Sequence, residues 1–225
     1  MNTQRYKVID LSTWERRNTF LCFKNFDFPI SVMGCELDIS VALPFWKEKG
    51  LSPFLSMVYA VCRAANSVPA FRQRIRDETV IEFECIHASF TIPTGEDSFG
   101  VKRVEFNPQF HEFYKTAKTA SAINLELPSN SFPHNGISND YENHHDQWFY
   151  LSCTPWVRFT HVVQATDRSI SSIPRIIWGK FTQTGDRVLV PFSVQTHHSL
   201  VDGRHKMKFF DSLQTSFETP EDFFV

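Results

Sequence analysis

His197 and His198 stand side by side, and Asp202-Gly203 begins four residues after the second of them. Imidazole titrates near neutrality, so in its neutral form either ring could take a proton from a hydroxyl. An imidazole without partners is more often a structural residue, because only its surroundings tune it for catalysis. Metal binding is the competing chemistry. His197, His198, Asp202 and His205 offer four ligands within nine residues, and His144-His145-Asp146 adds more. Adjacent histidines on a strand point to opposite faces, which keeps His197 and His198 from gripping one ion. No HExxH or Cys-His pattern accompanies them, so no metal is expected, and His144-His145 reads as a solvated loop pair.

The elements around the histidines suggest how they are mounted. The stretch Arg187–Thr196 is rich in β-branched residues and reads as a strand that delivers both histidines to its end. Asp202-Gly203 then opens a final helix with Met207, Phe210, Leu213 and Phe217 on one stripe. Upstream, a short strand Lys7–Asp10 precedes a helix cap at Ser12-Thr13-Trp14-Glu15. A strand through Ile30–Ile39 and helical material from Val41 to Lys49 follow. Pro53 is placed to open a helix running to Asn66, because its missing N–H is unneeded in a first turn.

Arg76-Asp77-Glu78-Thr79 reads as a hairpin turn, with strands at Val80–Glu84, Ala88–Pro93 and Gly100–Val104. Helical spacing covers Pro108–Ala122, and Ser129–Asp146 reads as a long polar loop. Strands at Trp148–Cys153 and Arg175–Thr182 complete the set, and Gln183-Thr184-Gly185-Asp186 turns the last of these into Arg187–Thr196. Local pairing of strands among helices predicts an α+β fold: a mostly antiparallel mixed sheet with helices packed on it, a two-layer sandwich. No linker or repeat interrupts the 225 residues, so one domain over 1–225 is expected.

Composition excludes several classes. Hydrophobic residues make up 42% and charged residues 21%, which suits a packed core. The net charge of −2, with no basic run, argues against nucleic acid. Apolar stretches such as Phe54–Ala65 are too short to span a bilayer, and no signal core follows Met1, so a cytoplasmic protein is expected. Five cysteines with no CxxC pair suit free thiols in a reducing compartment. Phe occurs 23 times against 5 each for Tyr and Trp, enough to fill a core and line an apolar pocket besides.

The pattern HHxxxDG formed by His197–Gly203 resembles the active-site signature of chloramphenicol acetyltransferases. Further blocks resemble that family in order and spacing, from about residue 6 to residue 215. Trp14–Phe20 is similar to its WxRxxHF segment, with Thr19 where His is usual. Phe71-Arg72 through Ile81 resembles FR…DxELVIW, Phe132-Pro133 the FP(K/Q)G loop, Ser152–Trp156 the SxxPW block, and Gly185–Pro191 the GDRLLLPL run. HxxxDG alone is less specific, since dihydrolipoyl acyltransferase cores and peptide-synthesis condensation domains carry it too.

The resemblance implies acetyl-CoA as co-substrate, His198 as general base, and direct attack of an acceptor hydroxyl on the thioester. Ser152 would then donate to the oxyanion of the tetrahedral intermediate. Asp202 would pair with Arg16, or alternatively Arg17, as a positioning pair. Trp156, Lys180 and Phe181 match CoA-contacting positions, and Lys49 is a further candidate. Phe23, Phe99, Phe132, Val162, Gln164 and Ile177 match the acceptor pocket. The family also implies a homotrimer with sites at subunit interfaces, because larger relatives build the tunnel from two similar halves and this chain has only one.

Three departures fall in the acceptor pocket: Gln164 and Thr166 at usually apolar positions, and Ile177 where Thr is usual. Chloramphenicol is therefore one expected acceptor and another small hydroxyl compound the alternative, since buried polar groups redirect specificity. A dihydrolipoyl-type core or a non-catalytic scaffold is the third reading. The absence of a Pro/Ala-rich linker and the SxxPW and FP blocks tell against it.

Overall fold

The computed structural model describes residues 6–122, 146–166 and 172–225. Its elements run β1 (Tyr6–Val8), α1 (Arg17–Phe23), β2 (Ile30–Asp38), α2 (Ala42–Glu48) and α3 (Pro53–Asn66). Strands β3 (Gln73–Arg76), β4 (Thr79–Phe83), β5 (His87–Pro93) and β6 (Phe99–Val104) precede α4 (Phe110–Ala122). Then come β7 (Trp148–Thr154), β8 (Arg175–Gly179), β9 (Thr182–Thr184), β10 (Arg187–His197) and α5 (Gly203–Glu218). The fold is α+β, as expected.

The larger sheet has the order β2-β10-β8-β7-β5-β6, with β9 also pairing β10. Pairing is antiparallel except for β5 with β7 and β7 with β8. A three-stranded sheet, β1-β4-β3, stands apart from it. Asp77 adopts φ 51° and Gly185 φ 60° in the turns of the β3–β4 and β9–β10 hairpins. Those left-handed conformations suit Asp and Gly at tight turns.

Helix α3 begins at Pro53, with the Ser52 hydroxyl accepting from Leu55 N at 3.4 Å. Its Leu55, Met57, Val58 and Val61 are buried in one core with Val190, Phe192 and Val194 of β10. Phe54 packs at 5.6 and 5.8 Å from Phe90 of β5 and Trp178 of β8. The intervening β10 residues Pro191, Ser193, Gln195 and His197 face the other way, yet they too are buried. On that outer face the segment 157–166 covers the sheet. A Cβ on Gly34 would lie 2.2 Å from Thr160 O, and one on Gly179 would lie 2.6 Å from Val157 O. Only glycine allows so close a crossing.

Three sequence expectations need correcting. Ser12 caps no helix: Asp10 Oδ1 accepts from Ser12 N and Oγ in a local turn, and α1 starts at Arg17 without a side-chain cap. The strand expected over Arg175–Thr182 divides at Gly179, where Lys180 N turns to donate to Val157 O at 2.9 Å. On α5, Met207 is 51% exposed, and the buried face runs through Lys206, Phe209, Phe210, Leu213 and Phe217. The long loop expected over Ser129–Asp146 lies outside the described residues, except Asp146. That carboxylate is buried and takes a bidentate bond from Arg76 at 2.8 and 2.9 Å.

Candidate active site

Strand β10 ends at His197, so the two histidines part ways. His197 is 3% exposed on the covered face of the strand, and its Nδ1 accepts from Ser199 N at 3.3 Å. Burial, with the adjacent His198 charge, lowers its pKa to about 4, so it stays neutral. His198 lies just past the strand, half-buried. Its backbone N donates to Pro29 O at 2.7 Å. Its Nδ1 lies 3.3 Å from Val201 O, and a carbonyl only accepts, so this contact places the proton on Nδ1. Nε2 then carries a lone pair, the form a base requires. The Phe23 ring tilts over the imidazole, with centroids 4.2 Å apart.

Asp202 is the N-cap of α5. Its Oδ1 accepts from Arg204 N at 3.0 Å and His205 N at 3.3 Å. Arg16, rather than Arg17, reaches Oδ2 through Nη1 at 2.5 Å, and a second N–H reaches Ser199 O at 3.5 Å. Burial opposes ionisation of Asp202, but the Arg16 bond and the His205 and Arg16 charges prevail, and its pKa is lowered. His205 Nδ1 accepts from Asp202 N at 3.2 Å, closing a capping box, yet it also lies 3.0 Å from Asp202 Oδ1. Burial lowers the His205 pKa despite the Asp202 charge, so the neutral, accepting ring is the form at pH 7. Arg16, Phe23, His198 and Asp202 therefore meet at one corner.

A second group lies elsewhere on the outer face. Ser152 sits in β7, with its Oγ 3.3 Å from Thr91 Oγ1. In register, Ser152 stands beside Ile177, which faces Ser193, which faces Gly34. Val162 and Gln164 cross above this face, held by side chains. Val162 N donates to Ser193 Oγ at 3.1 Å, and that hydroxyl donates back to Val162 O at 2.9 Å. Gln164 N donates to Gln195 Oε1 at 2.8 Å, and Gln195 Nε2 donates to Gln164 O at 3.4 Å. Gln164 Nε2 is itself buried without a partner. Beside Gln195 stands buried Arg175, 5.6 Å from the Tyr150 ring.

The remaining candidates are spread more widely. Trp156, 73% exposed, and exposed Lys180 lie just beyond the ends of β7 and β8, with Phe181 half-buried beside them. Lys49 is the C-cap that follows α2, its Nζ 5.7 Å from the Phe45 ring. Phe99 opens β6 opposite Pro93 and is exposed. Phe132 lies outside the described residues. The roles of Thr91, Ser193, Gln195 and His205 emerge only from strand register and capping geometry.

Ser152 and His198 do not meet within one chain. They are separated by two strand spacings, roughly 10 Å, and about 17 Å along the five residues from Ser193 to His198, close to 20 Å in all. Among the described residues no three His, Cys, Asp or Glu side chains converge as metal ligands. No helix among them is long and apolar enough to cross a membrane.

A family model described as chloramphenicol acetyltransferase matches residues 4–214. A chloramphenicol acetyltransferase 2 of Escherichia coli is 30% identical over 208 residues, covering 92% of this chain and 94% of its own. A chloramphenicol acetyltransferase of Staphylococcus aureus is 27% identical, covering 98% and 99%. A solved chloramphenicol acetyltransferase superposes with a TM-score of 0.85 at 28% identity, over 94% of this chain and 99% of that one. The cubic core of a pyruvate dehydrogenase multienzyme complex, at TM-score 0.63 and 14% identity, shares the fold.

Proposed function

The chain belongs to the chloramphenicol acetyltransferase family, and from that premise we propose that it moves acetyl from acetyl-CoA directly to a hydroxyl of chloramphenicol. Membership makes it an enzyme, an O-acetyltransferase. In the proposed reaction His198 Nε2 takes the proton of the acceptor hydroxyl as its oxygen attacks the thioester carbonyl carbon. Ser152 Oγ–H donates to the oxyanion, a contact worth about a hundredfold or more in rate. Collapse breaks the C–S bond, and the departing thiolate takes the proton from His198. Asp202 and Arg16 hold the corner without carrying protons.

The observation that carries this reading is the Nδ1 contact of His198 with Val201 O, which leaves Nε2 free. The separation of Ser152 from His198, close to 20 Å in one chain, supports a site shared between subunits. His198 and Phe23 would come from one copy, and Ser152 and Ile177 from the next, as closed threefold symmetry allows. Trp156 and Phe181 offer rings to the pantetheine or adenine, with Lys180 and Lys49 offering charge to phosphate. Phe99, Phe132, Val162 and Gln164 complete the acceptor pocket. We read the chain as a single domain acting in the cytoplasm.

A thiol-release assay with acetyl-CoA and chloramphenicol tests the proposal. Turnover that disappears in His198→Ala is expected, and turnover that persists there would refute the assigned base. The unpartnered Gln164 amide, at a position usually apolar in the family, motivates a second reading: a different small hydroxyl compound that places a hydrogen-bond-accepting group at that contact. CoA binding without turnover on chloramphenicol would move the assignment to it.

A further inference from the structure

Lys206 takes no part in the proton transfer, yet it is fully buried on the helix that follows the histidine pair. It projects from α5 with 0% exposure. Its Nζ donates to both the carbonyl and the hydroxyl oxygen of Ser31, each at 2.8 Å. Burial lowers its pKa to about 8, against the pull of the Asp202 carboxylate. An apolar side chain of similar volume would fill this space without the cost of desolvating an ammonium group. The lysine is thus a poor choice for stability alone.

What it grips explains its presence better. Strand β2 is an edge strand of the larger sheet. At its start Ser31 stands opposite Thr196 and Ile30 opposite His197. One residue before the strand, Pro29 O accepts from His198 N. The grip of Lys206 on Ser31 therefore acts two residues from the carbonyl that anchors the His198 backbone. With Phe23 over the imidazole, two elements from the same stretch of chain bear on His198.

We propose that Lys206 is a positioning residue for acetyl transfer, clamping the start of β2 so that Pro29 O holds the backbone of His198 in place. The proposal rests on the reading of His198 as base. Lys206→Met tests it, with thermal stability, steady-state kinetics and amide hydrogen exchange measured on the assembled protein. Expected are an unchanged or higher Tm, KM values within about twofold, and a kcat lower by about 10- to 100-fold. The His198 amide should exchange at least about tenfold faster. Ser31→Ala leaves the carbonyl acceptor in place and should shift kcat the same way but less. It carries the test if Lys206→Met does not fold.

An unchanged kcat, or a fall in kcat matched by falling Tm and rising KM, would overturn the proposal. The same holds if exchange at His198 is unaltered. The two ideas fail separately: activity surviving in His198→Ala removes the base assignment, whereas the exchange rate reports the clamp whichever group is the base.

Discussion

Replacing Asp202 should unfasten two things at once, and the structure allows each to be weighed. The carboxylate caps α5 through Oδ1 and takes the Arg16 bond through Oδ2. Losing an N-cap costs about 1 kcal/mol, and losing a hydrogen bond to a charged group costs about 1.5–3 kcal/mol. Asp202→Ala should therefore destabilise by roughly 2.5–4 kcal/mol. For a chain of this size that corresponds to a Tm lower by about 5–15 °C. Asp202→Asn keeps a capping oxygen and loses the charge, so about 1–2 kcal/mol is expected.

The pH dependence has a definite sign. The folded pKa of Asp202 is lowered, so its contribution is complete above the ordinary carboxylate value of about 4 and fades as pH falls through the folded value. Differential scanning calorimetry at matched protomer concentration measures both variants. A Tm loss below about 2 °C in Asp202→Ala, or equal losses in the two variants, would refute this division between cap and ion pair.

Four further outcomes are expected. Ser152→Ala should lower kcat about a hundredfold at nearly unchanged acceptor KM, because the oxyanion exists only in the transition state; a raised KM with normal kcat counts against it. Mixed oligomers of inactive His198→Ala and Ser152→Ala chains should regain about a quarter of wild-type activity, since random mixing restores one interface in four; no recovery would place both residues in one subunit's site. Gln164→Leu should raise kcat/KM for acceptors lacking a polar group at that contact relative to those that have one, read across an acceptor panel; an unchanged ranking removes Gln164 from the pocket. Because His197 has its pKa lowered to about 4, protonation of the unfolded chain should erode stability between about pH 6.5 and 4 by up to roughly 3 kcal/mol. Denaturant titration of His197→Gln should show a flatter acid limb, and an identical slope would be contrary.

Local rules read the local parts well. Helix α3 spans Pro53–Asn66 as its proline and preceding serine predict, because a cap and a first turn are decided within a few residues. The hairpin at Asp77 is of the same kind. The face of α5 was not legible, because a lysine on a helix reads as solvated until Ser31 is seen to accept from it. That partner is distant in the chain and no spacing rule reaches it. Likewise the motif favours Arg16 without excluding Arg17, and packing settles that Arg16 is the one that meets Asp202. The Thr91–Ser152 contact depends on β5 and β7 running parallel, a pairing that periodicity within either strand does not encode.

The pairing of β2 with β10 also has a consequence for the nascent chain. Strand β2 ends at Asp38 and β10, its neighbour in the sheet, begins at Arg187. At ordinary rates of synthesis the ribosome adds the intervening residues in roughly 7–30 s. During that time a nine-residue strand containing Ile30, Val32, Met33 and Leu37 waits without its neighbour. A chaperone that shields this stretch early in translation would act on the step most exposed to aggregation.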